Sequence, residues 1–449
     1  MQPRIAGAAR NANARKVLLA LAVVLASACT AAVAGAVAPA SVNGTRVTAV
    51  VSRNANGPST GGAFSQDGRT ASLYAFTSAA SNLVDNDSNG RLDVFVLHRN
   101  GMGGAISRAS VSSNGVQGNG DSSGPSVDGT NGRSPHCVAF QSTSTNLDPA
   151  DTSPDSDIYL RNLSRGTTRV IAPGAVDATD PTIDGACELM TYEAGGVVYV
   201  VSVHHGAPLA IAPGTQPDQE TDGRGVAYVR NGQVWYQRYA RGKHGLHKRG
   251  PERLVSAGHG AGNGASSHPS VNANGEYIAF ESTATNLCNG LCKGISGDRN
   301  GATSDVFRRT MSSGARSHDR MQMASFSYGA NAQGNGASNN PVISSAGQFI
   351  LFDSTATNLR PKASMVGTDP NGHVRDVFLW NFSSNRGYGN VSRESRPPNN
   401  GAFSAPSVAP ATSAHGNYVA FTCNAAGIAA DGGGGRAIPN VFMRFLGGA

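Results

Sequence analysis

The sequence lacks several features that mark helical folds and common enzyme families. Beyond its first forty residues, no segment spaces its apolar residues at the 3.6-residue helical period, which argues against a helical domain. It contains no HExxH, P-loop or GxGxxG pattern, and so offers no fingerprint of a zinc protease, a P-loop NTPase or a dinucleotide-binding domain. Charged residues make up only 14% of the chain, whereas 57 of its 449 residues are glycine.

A strong excess of positive charge is also missing from most of the chain. Lys and Arg number 36 against 29 acids, but four of the basic residues precede the uncharged run at 17–38: Arg4, Arg10, Arg15 and Lys16. The rest is nearly neutral, which argues against a nucleic-acid partner. A basic start, an apolar run and small residues at 26–28 and 38–40 are typical of a secretory signal peptide.

We therefore expect a signal peptide at 1–40 and a single domain at 41–449 that is periplasmic, cell-surface or secreted. The mature chain should have no transmembrane segment. A signal anchor remains an alternative, because 17–38 is long enough to span a bilayer, and so does a lipid anchor on Cys29.

Cysteines are few, with five after Cys29. Cys288 and Cys292 lie in one loop, CNGLC, and could form a disulfide in an oxidising compartment. Cys423 is expected to be a buried thiol. The sequence leaves the pairing of the five open: Cys137, Cys187, Cys288, Cys292 and Cys423.

The sequence does contain an internal repeat. FESTATNL at 280–287 returns as FDSTATNL at 352–359, with weaker copies FQSTSTNL at 140–147 and FTSAASNL at 76–83. Each copy starts at the end of a short apolar strand that closes in an aromatic residue. Seven such strand ends occur: Phe76, Phe140, Tyr192, Tyr228, Phe280, Phe352 and Phe421.

Each unit continues with a second strand of the DVF type, a third strand such as SRASV, and a closing element such as GPSVDG. Alternating apolar residues separated by glycine turns indicate strands. Four short strands repeated seven times predict an all-β, seven-bladed β-propeller of four-stranded antiparallel blades. The seventh unit stops after two strands, and matching pieces occur at 47–52 and 58–68. We therefore expect the last blade to be closed by N- and C-terminal segments, which removes an open sheet edge.

These motifs resemble a known family. The pattern GxYxAFxSxAxNL, followed by DxNGxxDVFxR and PxxSxxG, is similar to the TolB-like and WD-repeat-like β-propeller repeats of exported bacterial proteins. The resemblance covers nearly the whole chain after the leader and implies the propeller fold. It implies little about function, because this family includes accessory, binding and enzyme-attached propellers. No α/β domain is visible ahead of the repeats, in contrast to TolB itself.

The sixth position after the aromatic is Asn82, Asn146, Asn286 or Asn358 in four units, and Gly427 in the seventh. Asn and Gly most readily adopt left-handed backbone, so we interpret the position as a backbone requirement. The Ser and Thr residues of the motif then belong to a structural signature and not to an active site.

One face of the propeller should carry long loops. The aromatics of the first two strands are seven positions apart in units 3 and 4, but 19 to 27 positions apart elsewhere. Those insertions, and the links from third strand to next blade, should emerge on the same face, where we expect a protein or glycan partner. The basic stretch at 238–253 should lie on the opposite face, as a solvated loop or as a contact for an anionic partner.

Three insertions share an acid–Asn–Gly pattern that would suit Ca²⁺ or an ordinary Asx-turn. The candidate metal ligands are Asp85, Asp87, Asn89, Asp93, Asp298, Asn300, Asp305, Asp369, Asn371 and Asp376. Unit 2 offers Asp148, Asp151, Asp155 and Asp157 in the corresponding loop. Apart from Ca²⁺, no cofactor is expected.

The protein is therefore expected to be a monomeric, non-catalytic binding or scaffold module. GDSSGP at 120–125 looks like a serine-protease motif, but it aligns with GASSHP and GASNNP in other units, so Ser122 is a repeat serine. The alternative is a glycan-active hydrolase or lyase that uses loop carboxylates around the central channel. Carboxylates that converge at the channel mouth with perturbed pKa values would favour the enzyme.

Overall fold

The structure is a computed structural model that describes residues 46–447, except for 173, 175, 205, 293–294, 313–320, 329–330, 360–370, 384–387, 398–401 and 425–437. The described residues form strands β1 to β30 and no helix. None of them forms a helix long and apolar enough to cross a membrane. The predicted signal peptide and Cys29 lie outside the described residues.

Seven four-stranded antiparallel sheets account for all strands but two. Blades 1 to 3 are β2 (Ser59–Phe64), β3 (Leu73–Ser78), β4 (Asp93–Asn100), β5 (Gly103–Arg108); β6 (Ser122–Val127), β7 (Cys137–Ser142), β8 (Asp157–Asn162), β9 (Thr167–Val170); and β10 (Thr179–Ile183), β11 (Leu189–Ala194), β12 (Val197–Ser202), β13 (Leu209–Pro213).

Blades 4 to 6 are β14 (Thr215–Gln219), β15 (Gly225–Arg230), β16 (Gln233–Gly242), β17 (Gly245–Leu254); β18 (Ser266–Val271), β19 (Tyr277–Ser282), β20 (Asp305–Thr310), β21 (Met321–Met323); and β24 (Ser338–Ile343), β25 (Phe349–Ser354), β26 (Asp376–Ser383), β27 (Tyr388–Arg393). Blade 7 is β28 (Ser407–Thr412), β29 (Tyr418–Cys423), β30 (Asn440–Phe445) and β1 (Val47–Val50), while β22 (Phe326–Ser327) pairs with β23 (Ala332–Gln333) between blades 5 and 6.

The first strands of the seven blades surround a central channel. They contact one another in a closed cycle of β2, β6, β10, β14, β18, β24 and β28, with β28 returning to β2. All seven contribute to the wall of one cavity of about 160 Å³. The predicted seven-bladed propeller is confirmed.

The predicted closure is also confirmed, with one change of detail. β1 pairs antiparallel with β30, from Val47 opposite Phe445 to Val50 opposite Phe442. The segment at 58–68 does not enter this blade, because β2 is the first strand of blade 1. Each closing element is thus the first strand of the following blade, so every sequence repeat spans two blades and links them covalently. The first strand of each sequence unit is therefore the second strand of its blade.

Adjacent blades are held together by a repeated aromatic contact. In each blade an aromatic residue of the second strand faces one of the third strand. Phe280 lies opposite Phe307, with ring centroids 5.7 Å apart. The rings of this pair belong to one buried cluster with Ala227 and Val234 of blade 4. Strand residues alternate between sheet faces, so each blade has one face with the aromatic pair and one aliphatic face.

The predicted left-handed backbone at the repeated asparagines was wrong. None of Asn82, Asn146, Asn286 and Asn358 has a positive φ, and Gly427 lies outside the described residues. Asn286 Oδ1 accepts a hydrogen bond from the N–H of Asn263 at 3.0 Å, and its Nδ2 donates to the Ala261 carbonyl at 3.1 Å. Asn263 Oδ1 in turn accepts from the N–H of Thr285 at 2.8 Å, and its Nδ2 donates to Thr285 Oγ1 at 2.9 Å.

This pair of asparagines clamps the loop after the second strand to the loop that enters the blade. Equivalent hydrogen bonds join Asn56 to Asn82, Asn119 to Asn146, and Asn335 to Asn358. The glycine after each entering asparagine allows the close approach: a Cβ on Gly264 would lie 2.6 Å from the backbone of Thr283. The side-chain amide of the repeated Asn therefore hydrogen-bonds backbone groups of the loop that enters the blade, and a residue without this amide could not form these bonds.

The clamp predicts that Asn286→Gly and Asn286→Val both destabilise the protein, by roughly 1–2 kcal/mol, because both remove the amide. Thermal unfolding of the two variants measures this. Asn114, an exposed loop residue, provides a matched control, and Asn114→Gly should change stability little. A neutral Asn286→Gly variant would contradict the clamp.

Candidate functional site: the channel mouth on the long-loop face

Two rings of side chains surround the channel mouth on the face that carries the long loops. The first ring is the second residue of the first strand in blades 3 and 4 and the third residue in the other blades: Gly61, Gly124, Asp180, Gln216, His268, Asn340 and Ala409. The second ring is the residue after the aromatic of each second strand: Thr77, Gln141, Glu193, Val229, Glu281, Asp353 and Thr422. Both lie at the loop end of their strands, as the pairing of Ser266 with Ser282 shows for blade 5.

A β-bulge presents the first ring. In every blade the pairing of the first two strands shifts register at this position. Six of the seven residues have φ between 47° and 61°, including Gln216 and Ala409, which rarely adopt left-handed backbone. Bulges redirect side chains, and strained backbone of this kind is concentrated at functional sites.

The second ring supplies acceptors to the bulges of the next blade. Gln141 Oε1 accepts a hydrogen bond from the N–H of Asp180 at 2.9 Å, and Thr422 Oγ1 accepts from Gly61 at 2.7 Å. Blade 4 has the apolar Val229 in the second ring, and Gln216 Oε1 accepts from the N–H of His268 at 2.9 Å instead. The mouth is therefore cross-linked from blade to blade by polar side chains.

His268 and Glu281 form an ion-pair contact within this ring. The imidazole Nδ1 lies 2.9 Å from Glu281 Oε1, which also accepts from Ser267 Oγ at 2.8 Å, while Oε2 accepts from the N–H of Asn340 at 2.7 Å. The hydrogen bond with Glu281 raises the pKa of His268, although burial opposes this. Burial would raise the pKa of Glu281, but the hydrogen bonds from His268 and Asn340 hold it below its usual value.

Asp353 extends the cluster into blade 6. Its Oδ2 accepts from Asn340 Nδ2 at 2.7 Å, and its Oδ1 contacts the guanidinium of Arg375. Burial raises the pKa of Asp353 despite these donors. Blade 3 adds the exposed Asp180 and the half-buried Glu193. Partial burial of the carboxyl group raises the pKa of each, and the charge of Asp180 adds to the effect on Glu193.

Deeper in the channel, Asp218 is the one charged residue among the described residues that line the cavity. Its Oδ2 accepts from the N–H of Val271 in the next blade at 2.6 Å, and burial raises its pKa to about 7. Ser270 accepts from the N–H of Ile343 in the same way at 3.1 Å. Asp218 thus occupies a structural position that serine fills elsewhere.

The first predicted metal loop is held by protein donors. Asn89 Nδ2 donates to Asp93 Oδ2 at 3.0 Å, Ser110 Oγ donates to Asp93 Oδ1 at 2.5 Å, and Asp87 lies 3.0 Å from the guanidinium of Arg108. Asp85 is exposed.

The second loop has equivalent contacts. Asp298 Oδ1 accepts from the N–H of Asn300 at 2.9 Å, and Gln333 Nε2 donates to Asp298 at 3.0 Å and to Asp305 at 2.6 Å. Asn300 Nδ2 donates to the Gly334 carbonyl at 2.9 Å.

In the third loop, Asp376 accepts from Ser395 Oγ at 2.6 Å and from Arg393 at 3.2 Å, and Asn371 Nδ2 donates to the Phe403 carbonyl at 2.9 Å. Asp369 lies outside the described residues. The glycine of each loop has φ between 64° and 69°, as a tight turn requires. Calcium binding by these three loops stays a prediction beside its alternative, an Asx-turn without metal, which the protein donors to these acids favour.

The cysteines form two disulfides. Cys137 on β7 of blade 2 is joined to Cys187, which lies between β10 and β11 of blade 3. Cys288 is joined to Cys292, the bond that the sequence had left open. Cys423 is buried and forms no disulfide, as predicted.

The basic stretch at 238–253 forms a hairpin and not a loop. β16 and β17 are each ten residues long and pair as far as Gly242 opposite Gly245. The turn of this hairpin lies on the face opposite the channel mouth, and Lys243, His247 and Lys248 are exposed there.

Comparison with known proteins shows similarity of fold alone. No protein-family model and no curated protein matches the chain. Among solved structures, an oligogalacturonate lyase in complex with manganese is 11% identical, with a TM-score of 0.49, over 90% of this chain and 96% of that one. The β-propeller domain of the trilobed protease from Pyrococcus furiosus is 7% identical, with a TM-score of 0.47, over 87% and 96%. A putative TolB from Agrobacterium tumefaciens is 14% identical, with a TM-score of 0.34, over 62% and 94%.

Sequence reasoning missed both rings of the mouth. The second ring is the one strongly variable letter of the motif, Glu in FESTATNL, Asp in FDSTATNL and Gln in FQSTSTNL. The first ring is the residue that differs most among closing elements, as in SSGPS, SSHPS and SNNPV. Variation inside an otherwise constant repeat was the available signal.

The His268–Glu281 contact predicts an imidazole pKa above its ordinary value. Glu281→Gln should lower the pKa of His268, because burial then acts without the neighbouring negative charge. NMR titration of the imidazole resonances measures this. His98, whose pKa burial lowers, is the internal control and should not respond. An unchanged His268 titration in Glu281→Gln would contradict the contact.

Proposed function

We propose that this protein is an exported, monomeric, non-catalytic β-propeller of the TolB-like and WD-repeat-like kind. In this proposal residues 1–40 are a signal peptide, and 41–449 form one binding module. Its ligand is a basic segment of a protein partner, which binds at the acidic channel mouth on the long-loop face.

Export is supported by two independent features. The start of the chain combines basic residues with an uncharged apolar run and small residues, as signal peptides do. The two disulfides are chemistry of an oxidising compartment, whereas cytoplasmic proteins rarely keep such bonds.

The observation that carries the binding proposal is the charge of the mouth. Four carboxylates from blades 3, 5 and 6 lie in this region, where Arg375 and His268 are their basic neighbours: Asp180, Glu193, Glu281 and Asp353. A partner that presents Lys or Arg would complement this excess of negative charge, which favours rapid and specific association. The bulged, cross-linked ring provides a rigid site, so little ordering is needed on binding.

The hydrogen bonds of the acids favour binding over catalysis. Glu281 is engaged by His268, Ser267 and a backbone N–H, and Asp353 is engaged by Asn340 and Arg375. General acid–base catalysis needs a carboxyl group that is free to reach a substrate proton. Carboxylates that are already engaged in hydrogen bonds and ion pairs are better suited to provide fixed negative charge for binding than to transfer protons.

A second candidate function is supported by Asp180 and Glu193. They are the less encumbered acids at the mouth, and both have raised pKa values. A pair of carboxyl groups, one of them protonated, is the usual equipment of a glycoside hydrolase. This candidate places a glycan at the same mouth.

The purified mature chain should be tested on arrays of basic, neutral and acidic peptides and of glycans. We expect binding to basic peptides, weaker at higher salt because the charges are screened. The double variant Asp180→Asn/Glu193→Gln should lose about tenfold in affinity, or ~1.4 kcal/mol. The control Lys243→Ala/Lys248→Ala, on the opposite face, should bind normally.

Loss of binding in the control but not in the mouth variant would contradict the proposed site. Release of glycan fragments by the wild-type chain, abolished by Glu193→Gln, would replace the binding module with the glycan-active enzyme.

A further inference from the structure

The acid that begins the third strand has a hydrogen-bond donor on each carboxylate oxygen in blades 1, 5 and 6. In each of them, a serine at the end of the fourth strand donates to Oδ1, and an Asn, Gln or Arg donates to Oδ2. The sets are Ser110 and Asn89 for Asp93, Ser325 and Gln333 for Asp305, and Ser395 and Arg393 for Asp376. A buried carboxylate requires such partners, because an unpaired buried charge is costly.

Blade 2 lacks these donors. Its acid is Asp157, and the position of the serine is taken by Ala172, because the N–H of Ile171 bonds the carbonyl of Ile158 as its counterpart does in blade 1. Val170 stands where Arg108 and Arg393 stand in blades 1 and 6.

The result is a buried carboxylate oxygen without a partner. Asp157 is 0% exposed, and its Oδ1 accepts no hydrogen bond. Its Oδ2 has only a long contact of 3.5 Å with Ser153 Oγ.

A second acid takes the place of the missing donor. The side chain of Asp151, 7% exposed, is the neighbouring acid: burial raises the pKa of Asp157, and the charge of Asp151 adds to that effect. Tyr159 donates to Asp151 Oδ2 at 2.5 Å, and the N–H of Ser153 donates to Oδ1 at 3.0 Å. Among the described residues, no Lys or Arg forms an ion pair with Asp151 or Asp157. Two adjacent carboxylates repel each other unless a cation or a shared proton lies between them.

We propose that Asp157 and Asp151 bind a divalent cation, Ca²⁺, which replaces in blade 2 the serine and the Asn, Gln or Arg donors of blades 1, 5 and 6. Asp157 Oδ1, the Asp151 carboxylate and Ser153 Oγ are its ligands, and water completes the coordination. Ca²⁺ fits because it takes six to eight oxygen ligands in irregular geometry, as a surface loop provides. The ion fastens the loop at 148–156 to the start of β8. This site is independent of the proposed partner site.

The test is thermal unfolding and calorimetric Ca²⁺ titration of the mature chain after chelator treatment. Ca²⁺ at about 100 times its Kd should raise the Tm by about 3 °C, since it binds only the folded state. Asp157→Asn should abolish the shift. Ala172→Ser restores the donor found in the other blades, so it should raise the Tm in chelator and remove at least half of the Ca²⁺ effect.

The control is Asp87→Ala in the blade 1 loop, which should keep the full shift. The proposal is overturned if wild type shows no Ca²⁺-dependent shift, which would mean that the two acids share a proton. It is also overturned if Asp87→Ala abolishes the shift, since the ion then binds the blade 1 loop. If Asp157→Asn does not fold, Ala172→Ser provides the test. Retention of the full Ca²⁺-dependent Tm shift in that variant would contradict the proposed site.

Discussion

The contact on which the rest of the structure depends is the packing of one aromatic pair against the aliphatic face of the preceding blade. Phe76 and Phe95 of blade 1 share a buried cluster with Ala420, Val441 and Met443 of blade 7. Phe421 and Phe442 of blade 7 pack in the same way with Leu351, Val377 and Leu379 of blade 6. Because each blade has one aromatic and one aliphatic face, each blade needs a neighbour on both sides to bury them. All the faces are buried only when the ring closes.

Closure requires two devices beyond this packing. Each repeat donates its closing element to the next blade, so no blade is built from one repeat alone. The last gap is filled by β1, whose Thr48 accepts a hydrogen bond from the buried Arg444 at 2.8 Å. Arg444 also pairs with the buried Glu394 at 3.1 Å, which follows β27 of blade 6. The polar network secures the junction where the chain itself provides no connection.

The fold was predictable from the sequence because strand alternation, glycine turns and repeat count are local signals. The truncated seventh unit was enough to identify the terminal closure. The role of Asn286 was not predictable from composition, since left-handed backbone and a side-chain clamp both favour asparagine, and only the position of Asn263 distinguishes them. The sequence also did not show which blade each closing element joins, because a strand can pair within its own repeat or with the next one.

The sequence predicted only which face of the propeller carries the candidate site and did not identify its residues. Its residues sit at bulges such as those at His268 and Gln216, where the strand register changes, and sequence patterns assume an unbroken register. The long loops were correctly expected on this face, but the polar rings beneath them depend on how seven blades converge, which no single repeat encodes. The missing partners of Asp157 became visible only by comparison with Asp93, Asp305 and Asp376.

The central claim is that the seven blades form one closed ring held by reciprocal face packing. Hydrogen exchange with mass spectrometry, applied to the mature chain with and without residues 41–52, tests it most directly. Removal of β1 opens the ring, and the account predicts faster exchange in every blade, including blades 3 and 4 on the far side. Faster exchange confined to blades 6, 7 and 1 would contradict it, because the blades would then be stable in pairs and the ring would not be the unit of folding.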